Sequence, residues 1–219
     1  MDNRPNFHHS IEELQHDIIK MGHLVEKQIE KAVQSIVNMD PQIAEDVVDH
    51  DDEVDLLMLN IEERCLRLIA LQQPMASDLR TIGTAMKIAT DLERISDHAV
   101  DISKTTIRLS GEKLVKPLID IPRMAEIAME MLRESIASYT ERNINRAAAL
   151  AVKDDEVDKL YSTIFQDIVQ LMGGDYNRNR QLTHLLMVAQ YLERVADHTT
   201  NIGEGVIFMV SGKRKDLNI

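Results

Sequence analysis

The chain has no tryptophan, one cysteine and only 3% aromatic residues, with 8 glycines and 5 prolines in 219 positions. A lone cysteine, Cys65, rules out an intrachain disulfide and fits a reducing compartment. So few aromatic and turn-forming residues argue against a sandwich or a barrel and for helices, with 12 methionines as adaptable core filler. No apolar run approaches the ~18 residues that a membrane span requires, and the opening Met1–Pro5 is polar, so neither membrane insertion nor a secretory signal is expected. Nothing reads as a nucleotide-binding loop or a nucleophile elbow. Positive charge is scarce as well: 25 Lys and Arg face 37 Asp and Glu, a formal net charge of −12. Such a protein has no electrostatic reason to approach nucleic acid or an anionic bilayer, so cations and basic protein surfaces are the expected partners. What remains is a cytoplasmic, all-helical protein.

Helical periodicity fills most of the chain. Ser10 followed by Glu13 has the spacing of a capping box, and apolar residues recur at Ile11, Leu14, Ile18, Met21, Val25, Ile29, Ala32 and Ile36. Asp40-Pro41 stops this helix and starts a second, which the pattern carries unbroken to Leu71. Gln72-Gln73-Pro74 breaks it, and a third helix is expected from about Ser77 to Leu109. Residues 110–120, with Gly111 and Pro117, read as the one clear linker. After Asp120 the cycle restarts, with a fourth helix to about Asn143 and a fifth from Ile144 to Leu171-Met172, ended by Gly173-Gly174. A sixth runs from about Arg178 to Val210, and the tail Lys213–Asp216 is expected to be loose.

An internal repeat organises these helices. Asp51-Asp52-Glu53-Val54-Asp55 recurs unchanged at 154–158, and Leu92-Glu93-Arg94 with Asp97-His98 recurs as Leu192-Glu193-Arg194 with Asp197-His198. The expected fold is therefore all-α, a tandem duplication of a three-helix bundle with six long antiparallel helices. The first bundle spans residues 1–110 and the second 111–219.

The repeated motifs carry the chemistry. Glu93, Asp97 and Asp101 follow one another at steps of four, which keeps three carboxylates on one side of a helix while Ile88, Leu92, Ile95, Ala99 and Ile102 face a core. Asp55 and Glu93 lie nearly equal distances either side of the turn at Met75, as do Asp158 and Glu193 about Asp175. Antiparallel neighbours ~8–10 Å apart would thus set Asp51 and Asp55 level with Glu93 and Asp97. Carboxylates crowded in this way repel unless a cation sits among them, and their oxygens suit hard cations such as Mg²⁺, Mn²⁺, Ca²⁺ or iron. A lone pair of carboxylates four apart is normally a solvated helix face. Two rows level across a hairpin, and written twice, are harder to read that way. Arg94, Arg194, His98 and His198 sit one step off the row, about 100° round the helix, and are read as neighbours rather than ligands.

Gln73-Pro74-Met75-Ala76-Ser77-Asp78-Leu79-Arg80, Asp91-Leu92-Glu93-Arg94-Ile95-Ser96-Asp97 and Leu192-Glu193-Arg194-Val195-Ala196-Asp197-His198 resemble the PhoU family of phosphate-uptake regulators, and the resemblance covers essentially the whole chain. It implies a cytoplasmic, non-enzymatic protein of two three-helix bundles. It also implies a negative regulator of phosphate uptake and of the phosphate-starvation response, an adaptor between a phosphate ABC transporter, through its ATPase subunit, and a sensor histidine kinase. A homodimer is expected. Multinuclear iron or zinc clusters are implied on the repeated motifs, with manganese or magnesium as other candidates. Carried over, the metal-binding residues are Asp51 with Asp55, Glu93 with Asp97, and Asp101; then Asp154 with Asp158, and Glu193 with Asp197. The second set departs at Asn201, which lacks the charge of Asp101, and Glu204 is the candidate substitute. Two other functions are compatible with the pattern. A di-iron oxidase of the helical-bundle type would want Glu-x-x-His pairs, which the motif helices lack. A metal-free helical scaffold would keep its partners when Asp97 and Asp197 are replaced.

Overall fold

The computed structural model describes residues 5–217. Residues 1–4, where no secretory signal is expected, lie outside the described residues. The chain folds as α1 (Pro5–Asn38), α2 (Pro41–Asp49), α3 (Asp52–Gln72), α4 (Ala76–Leu109), α5 (Asp120–Glu141), α6 (Ile144–Ala148), α7 (Leu150–Leu171) and α8 (Tyr176–Ser211). With α2 and α3 counted as one bent rod, and α6 and α7 as another, these make two three-helix units. There is no strand among the described residues, and no described helix is long and apolar enough to cross a membrane.

Local chemistry explains most of the boundaries. Asp40 caps α2 by accepting the Gln42 and Ile43 amides at 2.9 and 3.4 Å, with Pro41 in the first turn. Gln73 ends α3 in a left-handed conformation at φ 43°. Asp175 caps α8 through the amides of Asn177 and Arg178, so this helix starts slightly before the expected Arg178.

Four expectations need correction, one of them the continuity of the fifth helix, which breaks at Ala149 between α6 and α7. The first helix begins at Pro5, so Ser10 lies inside it rather than capping it. Proline suits a first helical turn, and Phe7, only 2% exposed, extends the buried stripe one turn outward. The second helix is not continuous. At its break the His50 ring takes the Asp46 carbonyl at 2.7 Å, an acceptor that a continuing helix would give to its own backbone. The break leaves Asp52, Glu53 and Asp55 in the first turn of α3, where the positive end of the helix dipole favours them. The tail is not loose either: Leu217 is buried, and its amide donates to Glu204 Oε1 at 2.9 Å.

The expected unit boundary at 110/111 falls between α4 and α5, but the two units share one continuous apolar core. At its centre α4 and α8 lie antiparallel. Thr84 Oγ1 donates to the Gly205 carbonyl, Arg80 Nε to that of Met209, Asp91 meets His198, and the His98 ring stacks on Tyr191. Small buried residues such as Ala85, Ala89, Ser96, Ala196, Thr199 and Gly205 let these rods approach closely. Gly203 faces α6 and α7, where an added Cβ would stand 2.7 Å from Leu150 Cδ1 and 3.1 Å from the Ala147 carbonyl.

Candidate functional site

The bend between α2 and α3 places Asp51 just before α3, with Asp55 one turn on, beside Glu93 and Asp97 of α4. All four are half-buried. Burial, followed by the charges of Asp55 and Asp97, holds the Asp51 carboxyl above its usual range. Burial and Asp97, reinforced by Asp55 and Asp51 against the opposing Arg94, do the same for Glu93. The structure thus brings these four carboxylates into one electrostatic neighbourhood. Asp101 lies one turn further along α4. Its carboxyl is raised by burial and by Asp97, while Lys104 and Arg108 pull the other way.

The second unit repeats the arrangement with one carboxylate more deeply buried and Asp158 exposed. Asp154 is only 7% exposed, and burial together with Asp158, Asp197, Asp155 and Glu193 pushes its carboxyl up to about 7. Asp158 and Glu193 are also raised, burial first and Asp197 second. Asn201 is half-buried on α8. Glu204 lies about 10 Å beyond Asp197 along the helix, and its carboxylate is committed to the Leu217 amide.

Whether such a group can hold a cation is a question of unsatisfied oxygens. Asp51 Oδ1 and Asp154 Oδ1 are both buried without a hydrogen-bond partner, one in each cluster. A buried carboxylate oxygen left bare is costly, and a hard cation would satisfy it. The residues therefore fit a metal in chemistry. In their present positions, among the described residues, no three acidic, His or Cys side chains stand close enough to hold one together. Like charges keep apart, and the two arginines draw on the rows. Arg94 Nη1 donates to Asp97 Oδ2 at 3.0 Å and its Nε lies 3.4 Å from Glu93 Oε2. Arg194 meets Asp197 and Glu193 at 3.4 and 3.8 Å. The backbone angle that separates them from the row is real, but the long arginine stem bends back over it.

A second group at the helix crossing is absent from the sequence reading. His198 Nδ1 lies 3.0 Å from Asp91 Oδ1, and the His98 ring sits 5.8 Å from both Tyr191 and His198. His98 Nδ1 is buried without a partner, and burial, then the His198 ring, pushes His98 down to about 4. Asp91 and Tyr191 are counterparts in the repeat, so each half offers its own group to the other half's histidine. The histidine in each Asp-His pair was visible; its partner across the crossing was not, since only the α4–α8 register creates it.

Known proteins resemble the chain throughout. The family model described as the PhoU domain matches twice, at residues 18–106 and 121–206. A phosphate-specific transport system accessory protein PhoU homolog from Clostridium acetobutylicum is 42% identical over 98% of this chain and 99% of its own. The Aquifex aeolicus protein of the same description is 38% identical over 93% of this chain and 92% of its own. The crystal structure of PhoU from Pseudomonas aeruginosa superposes with a TM-score of 0.89 at 32% identity, covering 94% of this chain and all of that one. That of the phosphate transport system regulatory protein PhoU from Streptococcus pneumoniae gives 0.88 at 28%, over 96% and 99%. Sequence, repeat and fold agree: the chain belongs to the PhoU family.

Proposed function

We propose that this chain is an accessory regulator of phosphate transport that restrains uptake and the starvation response from the cytoplasm. It would do so by contacting the phosphate transporter's ATPase subunit and a sensor histidine kinase, with hard cations held at its two acidic clusters. The relatives it matches end to end carry the name of a phosphate transport accessory protein, which supports the role. The bare buried oxygens of Asp51 and Asp154, each among further carboxylates, carry the metal reading. Iron, zinc, manganese and magnesium remain the candidates. A bound cation would supply positive charge on which phosphate or a partner's carboxylate can bridge. The chain's own residues fix the clusters to the α3–α4 and α7–α8 hairpins, while exposed Leu56, Leu59 and Leu66 on α3, and Phe165 and Val169 on α7, offer apolar contacts nearby. No catalytic role is proposed.

The ion pairs of Arg94 and Arg194 favour a second reading, a metal-free adaptor in which the arginines serve as counter-ions. Metal analysis of the purified protein, with transporter and kinase pulldowns of wild type and Asp97→Asn/Asp197→Asn, separates the two. A stripped protein whose melting temperature ignores Mn²⁺, Fe²⁺, Zn²⁺ and Mg²⁺ refutes the metal reading. Partner binding that survives the double substitution supports the metal-free adaptor.

A further inference from the structure

Away from the acidic clusters, α4, the end of α8 and the tail line a half-open cleft of about 580 Å³. Its walls carry Arg80, Lys87, Arg214 and Lys215 against one carboxylate, Glu204, which already accepts the Leu217 amide. Among the described residues none of these four cations makes an ion pair. In a chain of formal charge −12, this concentration of positive charge is out of keeping with the rest of the molecule. Leu79 and Phe208 add an apolar wall, with the Arg214 guanidinium 5.8 Å from the centre of the Phe208 ring.

The duplication supplies an internal control. Arg180, the counterpart of Arg80, is hydrogen-bonded and ion-paired with Glu112. Glu112 follows the Ser110-Gly111 turn that ends α4, where Gly111 has φ 80°. The matching turn that ends α8 is Ser211-Gly212, with Gly212 at φ 71° and its backbone against the Arg80 guanidinium. There the chain continues Lys213-Arg214-Lys215 instead of Glu112-Lys113-Leu114. In one copy the chain supplies the anion for its arginine. In the other it supplies more cations.

We propose that this cleft binds a phosphorylated small molecule, with a phosphate at Arg80, Lys87 and the tail cations, and its organic part against Leu79 and Phe208. Four cations facing one committed carboxylate suit an anion of more than one charge, and a planar guanidinium binds phosphate oxygens in pairs. The volume lies in the range of small-molecule pockets, beyond what a bare phosphate fills. Arg80 stands where its twin holds a carboxylate, so the ligand replaces an ion pair that the other half keeps within the chain.

The test is calorimetric titration of the full chain, at low salt to limit screening, with inorganic phosphate and, separately, ATP as probes. EDTA is present throughout, so failure here leaves the reading of the acidic clusters untouched. One ATP per chain, bound at least about tenfold more tightly than phosphate, is expected. Lys87→Glu, and separately Arg214→Ala/Lys215→Ala, should weaken binding about tenfold or more. These side chains are exposed, so melting temperature should hold. Equal affinity for ATP and phosphate overturns the organic half of the site. No saturable heat with either, or variants that bind like the parent, overturns the site itself.

Discussion

Asp154→Asn should stabilise the metal-free protein by an amount that grows as pH rises above about 4 and is complete above about 7. An unfolded aspartate titrates at the ordinary value of 3.8, whereas burial and surrounding carboxylates move Asp154 in the fold to about 7. Below pH 4 both states hold the proton and folding gains the full benefit of the neutral group. As pH rises towards 7 the unfolded chain releases its proton while the fold retains it, so that benefit is progressively lost. About three pKa steps at 1.36 kcal/mol each set a ceiling of about 4 kcal/mol, lowered towards about 2 where water reaches the cluster's outer oxygens. Asparagine keeps the shape without the charge. In EDTA at pH 8 the variant should therefore melt about 5–15 °C above wild type, at roughly 2–4 °C per kcal/mol for a chain this size. At pH 4 the difference should vanish. His98 acts in the opposite sense, because its depressed value removes stability as pH falls from 6.5 towards about 4. It is common to both proteins and cancels in the comparison. Thermal melts followed by circular dichroism across this range give the answer. A variant that melts lower at pH 8, or shifts equally at pH 4 and 8, refutes the account of a strained, uncompensated carboxylate.

Other expectations follow from the same geometry. Adding Mn²⁺ to stripped wild type at about one hundred times its dissociation constant should stabilise it by about 2.7 kcal/mol for each occupied cluster, and Asp154→Asn should lose the second cluster's contribution; identical metal shifts in both proteins would contradict this. Arg94→Ala removes the cation nearest Glu93 and Asp97, so Mn²⁺ should bind the first cluster several-fold more tightly, measured by competition with a metal indicator. Gly203→Ala should destabilise by about 1–3 kcal/mol, because its Cβ would meet Leu150 and the Ala147 carbonyl at sub-contact distances; an unchanged urea midpoint would show that α6 shifts freely. In NMR titrations the His98 ring should stay neutral until pH approaches about 4.

The fold was legible because its main determinants are local or repeated. The apolar stripes of α1, α4 and α8 obey helical spacing, Asp40-Pro41 and Gly173-Gly174 mark ends, and two copies of Leu-Glu-Arg reveal the duplication. Equal chain lengths about Met75 and Asp175 were enough to bring Asp51, Asp55, Glu93 and Asp97 together. What stayed hidden depends on side chains reaching out of their helical frame. The break at His50 comes from a ring competing for a backbone carbonyl. Arg94 returns to the acidic row because its stem is long and flexible. Contacts between the units have no sequence spacing to betray them: the Asp91–His198 pair, the Tyr191–His98 stack and the hold of Glu204 on the tail all require α4 and α8 to be docked first.

The antiparallel pairing of α4 with α8 resembles the seam of a symmetric dimer joined into one polypeptide. Two identical subunits would have to present two identical faces, and any change would appear in both. Fusion lifts that constraint. Asp91 is answered by Tyr191, Asp101 by Asn201, and the glutamate after one glycine turn by a lysine after the other. A single chain can thus offer two unlike surfaces at a fixed separation, which is what the proposed role of contacting two different proteins at once requires.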